Sequence, residues 1–219
     1  MPRLLFEKTG NAIWISHLDL MRLFQRSFKR AGLPLKHTQG FNPRPSVSIA
    51  LPLSVGVESK CELLDFEIDG LEVPCEKIAS LLNPVLVEGV KVLEVYDSGS
   101  KIRDLAFLRC CITFEYDNSV PENSVDAIRD LFARTSLTVS KKTKNGPQDQ
   151  DIIPMIQSLD VMQAGENVLK IDTLICCQNP ALNPMQLPLA VATYLPEFAP
   201  DFSKCCRLEI YDKQEKVFR

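Results

Sequence analysis

The sequence predicts an α+β protein composed of two tandem ferredoxin-like (split βαβ) halves with antiparallel sheets. The first observation is that segments of alternating apolar and polar residues, typical of strands, are interleaved with segments of helical periodicity. The second is that the order strand-helix-strand-strand-helix-strand occurs twice along the chain. A small polar step at residues 98–100 separates the two occurrences. We therefore predict a first half at residues 1–99 and a second half at residues 100–219.

The first half starts with a predicted strand at residues 3–8, and a turn at residues 9–11 leads into a further extended stretch at residues 12–15. These two stretches together predict either one strand or a hairpin. The remaining elements follow from periodicity and from the positions of Gly and Pro. They are a helix at 17–31, strands at 46–50 and 61–68, a short helix at 74–82 and a strand at 90–96.

The second half repeats this order of elements without repeating the residues. The predicted elements are strands at 105–116, 137–142, 168–177 and 206–211, and helices at 124–133 and 184–195. Residues 152–159 predict either a short helix or an irregular connection. A small basic turn follows the strand at 137–142, and its cations are Lys141, Lys142 and Lys144.

The helix at residues 17–31 has clear start and stop signals. Ser16 precedes it and Asp19 follows three residues later, which is a capping-box pattern. Gly32 followed by Pro34 ends it. Spacings of three and four predict two stripes along this helix. The buried stripe is Leu20, Phe24, Phe28 and Ala31, and the exposed cationic stripe is Arg22, Arg26, Lys29 and Arg30.

The segment after this helix is rich in Pro and Gly, which predicts a stiff loop carrying Phe41 and Arg44. Phosphates bind Lys and Arg, and unstacked bases bind aromatic rings or guanidinium planes. The sequence therefore predicts a single-stranded RNA site. Its residues are Arg22, Arg26, Lys29, Arg30, Phe41 and Arg44.

The charge distribution supports this location. Residues 1–60 contain nine Lys and Arg against three Asp and Glu, whereas residues 61–219 contain sixteen against twenty-five. The first segment therefore has a net charge of +6 and the second a net charge of −9, which sum to the overall −3. A basic lobe favours a polyanionic partner. The alternative is that these Lys and Arg side chains only solvate one helix.

Three strings in the first half carry a family resemblance: ISHLDLMR at residues 15–22, TQGFNPRP at residues 38–45 and LPLSVGVES at residues 51–59. With them, the chain resembles the uncharacterised radical-SAM-linked family, densely over residues 3–68. Members are encoded beside, or fused to, a radical SAM protein with a cobalamin-binding domain. The resemblance implies such a protein as partner. Members commonly have His after the loop proline, where this chain has Arg44.

Whether the chain is an enzyme stays open at this point. His17, His37 and Asp19, with Arg44 as an anion clamp, provide the groups needed for phosphodiester cleavage, so an RNA-processing hydrolase is one alternative. In the simpler alternative, His17 fills the first helical turn and His37 is a surface residue. A third alternative is a protein adaptor whose basic helix binds an acidic surface of the radical SAM enzyme.

Eight cysteines in a chain without a signal-peptide pattern predict free thiols. Strand alternation predicts that Cys110, Cys177 and Cys206 point into the core and that Cys111, Cys176 and Cys205 share the opposite face. The latter three are weak metal candidates, and apolar packing of small thiols is the favoured interpretation. No C-x₃-C-x₂-C cluster is present, so the chain is not itself a radical SAM enzyme, and we predict no cofactor.

The sequence gives no indication of a membrane span. No window approaches the ~18 consecutive apolar residues that a spanning helix requires, and the first ten residues lack a signal-peptide hydrophobic region. We expect a cytoplasmic protein.

Overall fold

The computed structural model describes residues 1–70, 73–143 and 146–219. The chain divides into two compact units, the first comprising Met1–Ile102 with Arg219 and the second Arg103–Phe218. Strand neighbours within each unit are antiparallel, and helices are few. The prediction of a mixed α+β protein with antiparallel sheets is therefore confirmed. No helix in the described residues combines the length and the apolar character that crossing a bilayer requires.

The described residues of the first unit form four strands and two α-helices. They are β1 (Pro2–Lys8), α1 (His17–Arg30), β2 (Val47–Ile49), β3 (Glu58–Phe66), α2 (Cys75–Leu82) and β4 (Val90–Asp97). The strand expected at residues 12–15 is wrong, because Gly10–Trp14 forms a 3₁₀ helix. Gly10 adopts a φ of +55°, and the amides of Ala12 and Ile15 each bond a carbonyl three residues earlier, which closes successive turns.

The strands of the first unit follow the order β4-β1-β3-β2. The apolar stripe of α1 packs on one face of this sheet. Phe24 meets Phe6 edge-on with ring centroids 4.8 Å apart, and Phe28 lies 4.9 Å from Phe66. Because these contacts fix the rotation of α1 about its axis, the opposite stripe of the helix faces away from the core.

Both ends of α1 form as the local sequence predicts. Ser16 is the N-cap, and its hydroxyl accepts a hydrogen bond from the amide of Asp19. At the other end, Gly32 adopts a φ of +71°, and the Leu33 amide bonds the Phe28 carbonyl at 2.9 Å. This bond is the one that closes a helix before a left-handed glycine.

In the second unit, the part of the chain that the structure describes forms six strands and two α-helices. They are β5 (Leu105–Glu115), α3 (Ser124–Phe132), β6 (Thr138–Thr143), β7 (Gly146–Asp151), β8 (Ile156–Gln163), β9 (Val168–Cys176), α4 (Gln186–Tyr194) and β10 (Phe202–Asp212). Their main sheet has the order β10-β5-β9-β8, and β6 and β7 form a separate hairpin. Residues 152–159, expected as a helix or an irregular connection, form one 3₁₀ turn at Ile153–Met155 and then enter β8.

A bulge in β10 changes which cysteines share a face. Cys205 pairs with Ile112 and is buried, whereas Cys206 pairs with Cys111. The register shifts between Arg207 and Glu209, so one extra residue reverses the alternation before Ile210, which is again buried. The prediction that Cys205 shares a face with Cys111 is therefore wrong.

Candidate functional site

The outer face of α1 is strongly basic. Arg22, Arg26, Lys29 and Arg30 are all exposed. Arg22 is paired with Asp19, with Nη1 2.9 Å from Oδ1. None of the ion pairs among the described residues involves the other three cations of this stripe. On the cationic face of α1 (Arg22, Arg26, Lys29 and Arg30), three of the four exposed cations therefore form no ion pair with the described residues.

The start of α1 is occupied by its own capping contacts. The Ser16 hydroxyl donates to Asp19 Oδ2 at 2.8 Å, and the hydrogen bonds from Ser16 and Arg22 lower the pKa of the Asp19 carboxyl. A carboxylate held ionised in this way is a poor proton donor at neutral pH. Asp19 thus has a capping role here, and its side-chain hydrogen bonds and ion pairs among the described residues go to Ser16 and Arg22.

The loop after α1 is closed at its base. The Thr38 amide donates to the Arg44 carbonyl at 2.8 Å, and the Arg44 amide donates back to the Thr38 hydroxyl at 3.1 Å. One residue further from the tip, His37 and Pro45 form an antiparallel bridge. The stem places residues 39–43 at a projecting tip. Phe41 lies in this tip with its side chain 99% exposed.

An open cavity of about 520 Å³ lies between the C-terminal half of α1 and the stem of this loop. Gln25 and Lys29, one helical turn apart, contribute from the helix. The stem contributes His37 and Pro45, and the remaining lining comes from the turn after the helix. The full lining is Gln25, Lys29, Gly32, Pro34, Leu35, His37 and Pro45.

The structure does not bring the two histidines together. His17 is the first residue of α1, whereas His37 lines the cavity beside Lys29, in the last turn. At 1.5 Å per residue, this helix of 14 residues separates its ends by roughly 20 Å. The acid-base pair of His17 and His37, one of the alternatives that the sequence leaves open, receives no support from these positions.

The cysteine candidates do not form a metal site. Cys111 pairs with Asp172 and Cys176 with Phe107, so these two thiols are four positions apart along β9, about 13 Å. Burial raises the pKa of the Cys111 thiol, which disfavours the thiolate that a metal requires. Among the described residues, no three His, Cys, Asp or Glu side chains are arranged as metal ligands.

The small basic turn of the second half falls only partly within the described residues. In the small basic turn of the second half, Lys144 and the side chain of Lys142 lie outside the described residues. Trp14, just before the start of α1, is 65% exposed, and its ring lies 3.5 Å from where a Cβ on Gly56 would be. Sequence reasoning missed Gln25 as a site residue. Its spacing of four from Lys29, on the same helix face, was the available signal.

Comparison with protein families identifies one family whose model matches most of the chain. The model described as "Uncharacterized protein conserved in bacteria (DUF2344)" matches residues 2–184. The chain belongs to this family. No curated protein matches the sequence of this DUF2344 protein.

Two of the matching solved structures contain larger chains. A chain in the crystal structure of a Cbf5-Nop10-Gar1 complex is similar with a TM-score of 0.55 and 7% identity, over 95% of this chain and 48% of that chain. A chain in the archaeal box H/ACA sRNP Nop10-Cbf5 complex has a TM-score of 0.48 and 8% identity, over 94% and 46%. This DUF2344 protein thus spans about half the length of these chains, and at such identity the first likeness concerns the fold alone.

Proposed function

We propose that this protein binds single-stranded RNA through the cationic face of α1 and the tip of the loop that carries Phe41 and Arg44. The observation that carries the proposal is that Arg26, Lys29 and Arg30 are exposed without an acidic partner among the described residues. Phosphates bind such cations by releasing counterions, and bases stack on exposed aromatic rings. The proposal rests on these charges and not on the likeness to the Cbf5-Nop10-Gar1 complex.

The architecture supports this role. The strand orders β4-β1-β3-β2 and β10-β5-β9-β8 support a split βαβ arrangement in each unit, in which the β6-β7 hairpin would be an insertion in the second. We propose two such ferredoxin-like modules, a basic one at the N-terminus and an acidic one at the C-terminus. Recognition of RNA occurs on folds of this kind through single-stranded segments.

The partner is the second part of the proposal. The resemblance of residues 3–68 to the radical-SAM-linked family supports an accessory role beside a radical SAM protein with a cobalamin-binding domain, in RNA modification or processing in the cytoplasm. The hydrolase alternative receives no support, since His37 lines the cavity with Gln25 and Lys29, which lie roughly 12–18 Å along α1 from His17. The adaptor alternative, in which the basic helix binds an acidic surface of the radical SAM protein, depends on the same exposed cations of α1.

The test is the salt dependence of RNA affinity. Fluorescence anisotropy with a labelled single-stranded octamer, between 50 and 300 mM KCl, compares the wild-type chain with the triple variant Arg22→Gln, Arg26→Gln, Arg30→Gln. Each phosphate contact on a single strand contributes about −0.7 to the slope of log K against log salt, so losing three contacts flattens the slope by about two units.

A matched control removes three exposed lysines elsewhere in the first unit: Lys60→Gln, Lys77→Gln, Lys91→Gln. It changes the net charge equally and leaves the slope nearly unchanged. The proposal is wrong if the wild-type chain has no RNA affinity or if both triple variants have the same slope. An adaptor instead shows negligible RNA binding in every variant, and only capture of the radical SAM protein weakens.

A further inference from the structure

We infer that the cavity between α1 and the loop stem is a base-reading subsite, which takes one unstacked nucleobase of the bound RNA while Lys29 contacts an adjacent phosphate. This inference rests on the proposed function. Beyond the proposed function, the inference states that RNA binding discriminates between bases. The cationic face of α1 cannot do this alone, because contacts to phosphates carry no sequence information.

The size and the walls of the cavity fit a planar heterocycle. Its volume of about 520 Å³ lies within the ~300–1,000 Å³ range of small-molecule sites. Pro34, Leu35 and Pro45 offer apolar surface for the faces of a base. Gly32 leaves its side of the cavity open, because no atom lies within 4 Å of where a Cβ would be.

The polar groups of the cavity are suited to the edge of a base. Gln25 supplies an amide with both donors and an acceptor, and His37 supplies ring nitrogens of both kinds. None of the side-chain hydrogen bonds among the described residues occupies the Gln25 amide or the His37 ring. Gln25 is half-buried, so its rotamers are restricted by the helix and the cavity wall. Amides at such positions recognise Watson–Crick and Hoogsteen edges of unpaired bases.

The surroundings favour RNA over an isolated small molecule. Lys29 belongs both to the cavity and to the cationic face of α1, so a base in the cavity has its own phosphate beside the basic stripe. Phe41 lies at the tip of the same loop whose stem forms the cavity wall, and it offers a stacking surface for a neighbouring base. Stacking on Phe41 is tolerant of base identity, whereas hydrogen bonding in the cavity is selective.

The experiment separates these contributions. Affinities for octamers of A, C and U are measured for the wild-type chain and for Gln25→Leu and His37→Phe, which keep shape but remove the hydrogen-bonding groups. The wild-type chain should prefer one base by about fivefold or more, the value of one hydrogen bond. Both variants should bring this ratio towards one and leave the salt slope unchanged. Gln148→Leu, which removes an exposed amide from β7 in the second unit, serves as the control and should keep the wild-type ratio.

The outcomes distinguish the two proposals. If the wild-type chain binds all three octamers equally, or if its preference survives in both cavity variants, the base-reading inference is overturned while RNA binding stands. If no octamer binds at all, the proposed function fails and this inference with it. Circular dichroism of each variant establishes that the fold is retained, which the exposed position of His37 and the good helix propensity of Leu favour.

Discussion

Arg3 and Asp65 are directly opposite each other on β1 and β3 and form a two-pronged ion pair, with Nε 2.6 Å from Oδ1 and Nη2 3.1 Å from Oδ2. The Arg3 side chain is only 3% exposed. Removing the carboxylate takes this two-pronged contact away from a cation that stays buried. We expect Asp65→Asn to lower the free energy of unfolding by about 3 kcal/mol, measured by urea denaturation.

The exposed pair of Lys204 and Glu115 is the control for this effect. Its side chains are 59% and 36% exposed, so Glu115→Gln should change stability by less than ~1 kcal/mol. If the two substitutions have equal effects, burial does not determine the strength of the Arg3–Asp65 pair.

Gly89 is a second position at which we expect a substitution to lower the stability of the fold strongly. Its φ is +83°, and a Cβ there would overlap the Thr9 carbonyl and lie 2.9 Å from the Ala12 Cβ. The left-handed backbone and the overlap each oppose a side chain, so Gly89→Ala should destabilise the chain by about 3 kcal/mol. Gly99→Ala, where nothing lies within 4 Å of a Cβ, should have little effect in the same thermal denaturation experiment.

The triple α1 variant should remain folded. Arg22, Arg26 and Arg30 are exposed, Gln has a helix propensity close to that of Arg, and only the exposed pair with Asp19 is lost. The free energy of unfolding should fall by less than ~1 kcal/mol. A larger loss in calorimetry would mean that these arginines are structural, and the cationic face of α1 would then be wrongly assigned as a binding surface.

Phe41→Ala should separate RNA affinity from stability. The side chain is 99% exposed and contributes nothing to the core, so the unfolding temperature should be unchanged. Loss of one stacked base weakens RNA binding by about 1–3 kcal/mol, measured by anisotropy at fixed salt. Phe202, exposed on β10, provides the matched control as Phe202→Ala. Equal RNA affinity of the Phe41 variant and the wild type would exclude the loop tip from the interface.

The buried hydroxyl of Tyr116 should make the free energy of unfolding depend on pH in the alkaline range. Its hydroxyl donates to the Phe198 carbonyl at 2.9 Å, and burial raises the pKa of Tyr116 to about 12. Because the pKa is about 10 in an unfolded chain, the stabilising contribution is complete below pH 10 and disappears as the pH rises towards 12. At neutral pH, Tyr116→Phe should be less stable than the wild type by about 1 kcal/mol.

The order of stability of the wild type and the Tyr116→Phe variant should reverse at high pH. Above about pH 11, ionisation of the unfolded tyrosine offsets the lost hydrogen bond, so the Tyr116→Phe variant becomes the more stable one. Urea denaturation at several pH values measures this difference. A difference that does not change with pH would contradict the raised pKa.

Local chemistry explains what the sequence predicted well. The α1 boundaries follow from Ser16 and Gly32, whose effects need no distant partner. The core stripe follows from spacing alone, and Leu20, Phe24 and Phe28 are all buried as expected. The cationic stripe is the complement of that stripe, so its exposure was predictable as well.

The misplaced features depend on pairing between distant residues. β7 is a strand because it pairs with β6, although its sequence, GPQDQD, has no apolar alternation. The bulge in β10 is visible only against β5, so alternation assigned Cys205 and Cys206 to the wrong faces. The cavity beside Gln25 exists because the chain reverses after Gly32 and returns along α1, a path that periodicity does not encode.

The closed stem of the loop after α1 has a thermodynamic consequence. Backbone hydrogen bonds between Thr38 and Arg44, and from Ser46 to Lys36 at 2.7 Å, hold both ends of the tip in place before any ligand arrives. Fixing one backbone residue costs about 1–2 kcal/mol of conformational entropy. The stem residues have already lost that entropy during folding, so a ligand at the tip needs to order only residues 39–43. Preorganisation of this kind lengthens the lifetime of a complex without adding a single contact to it.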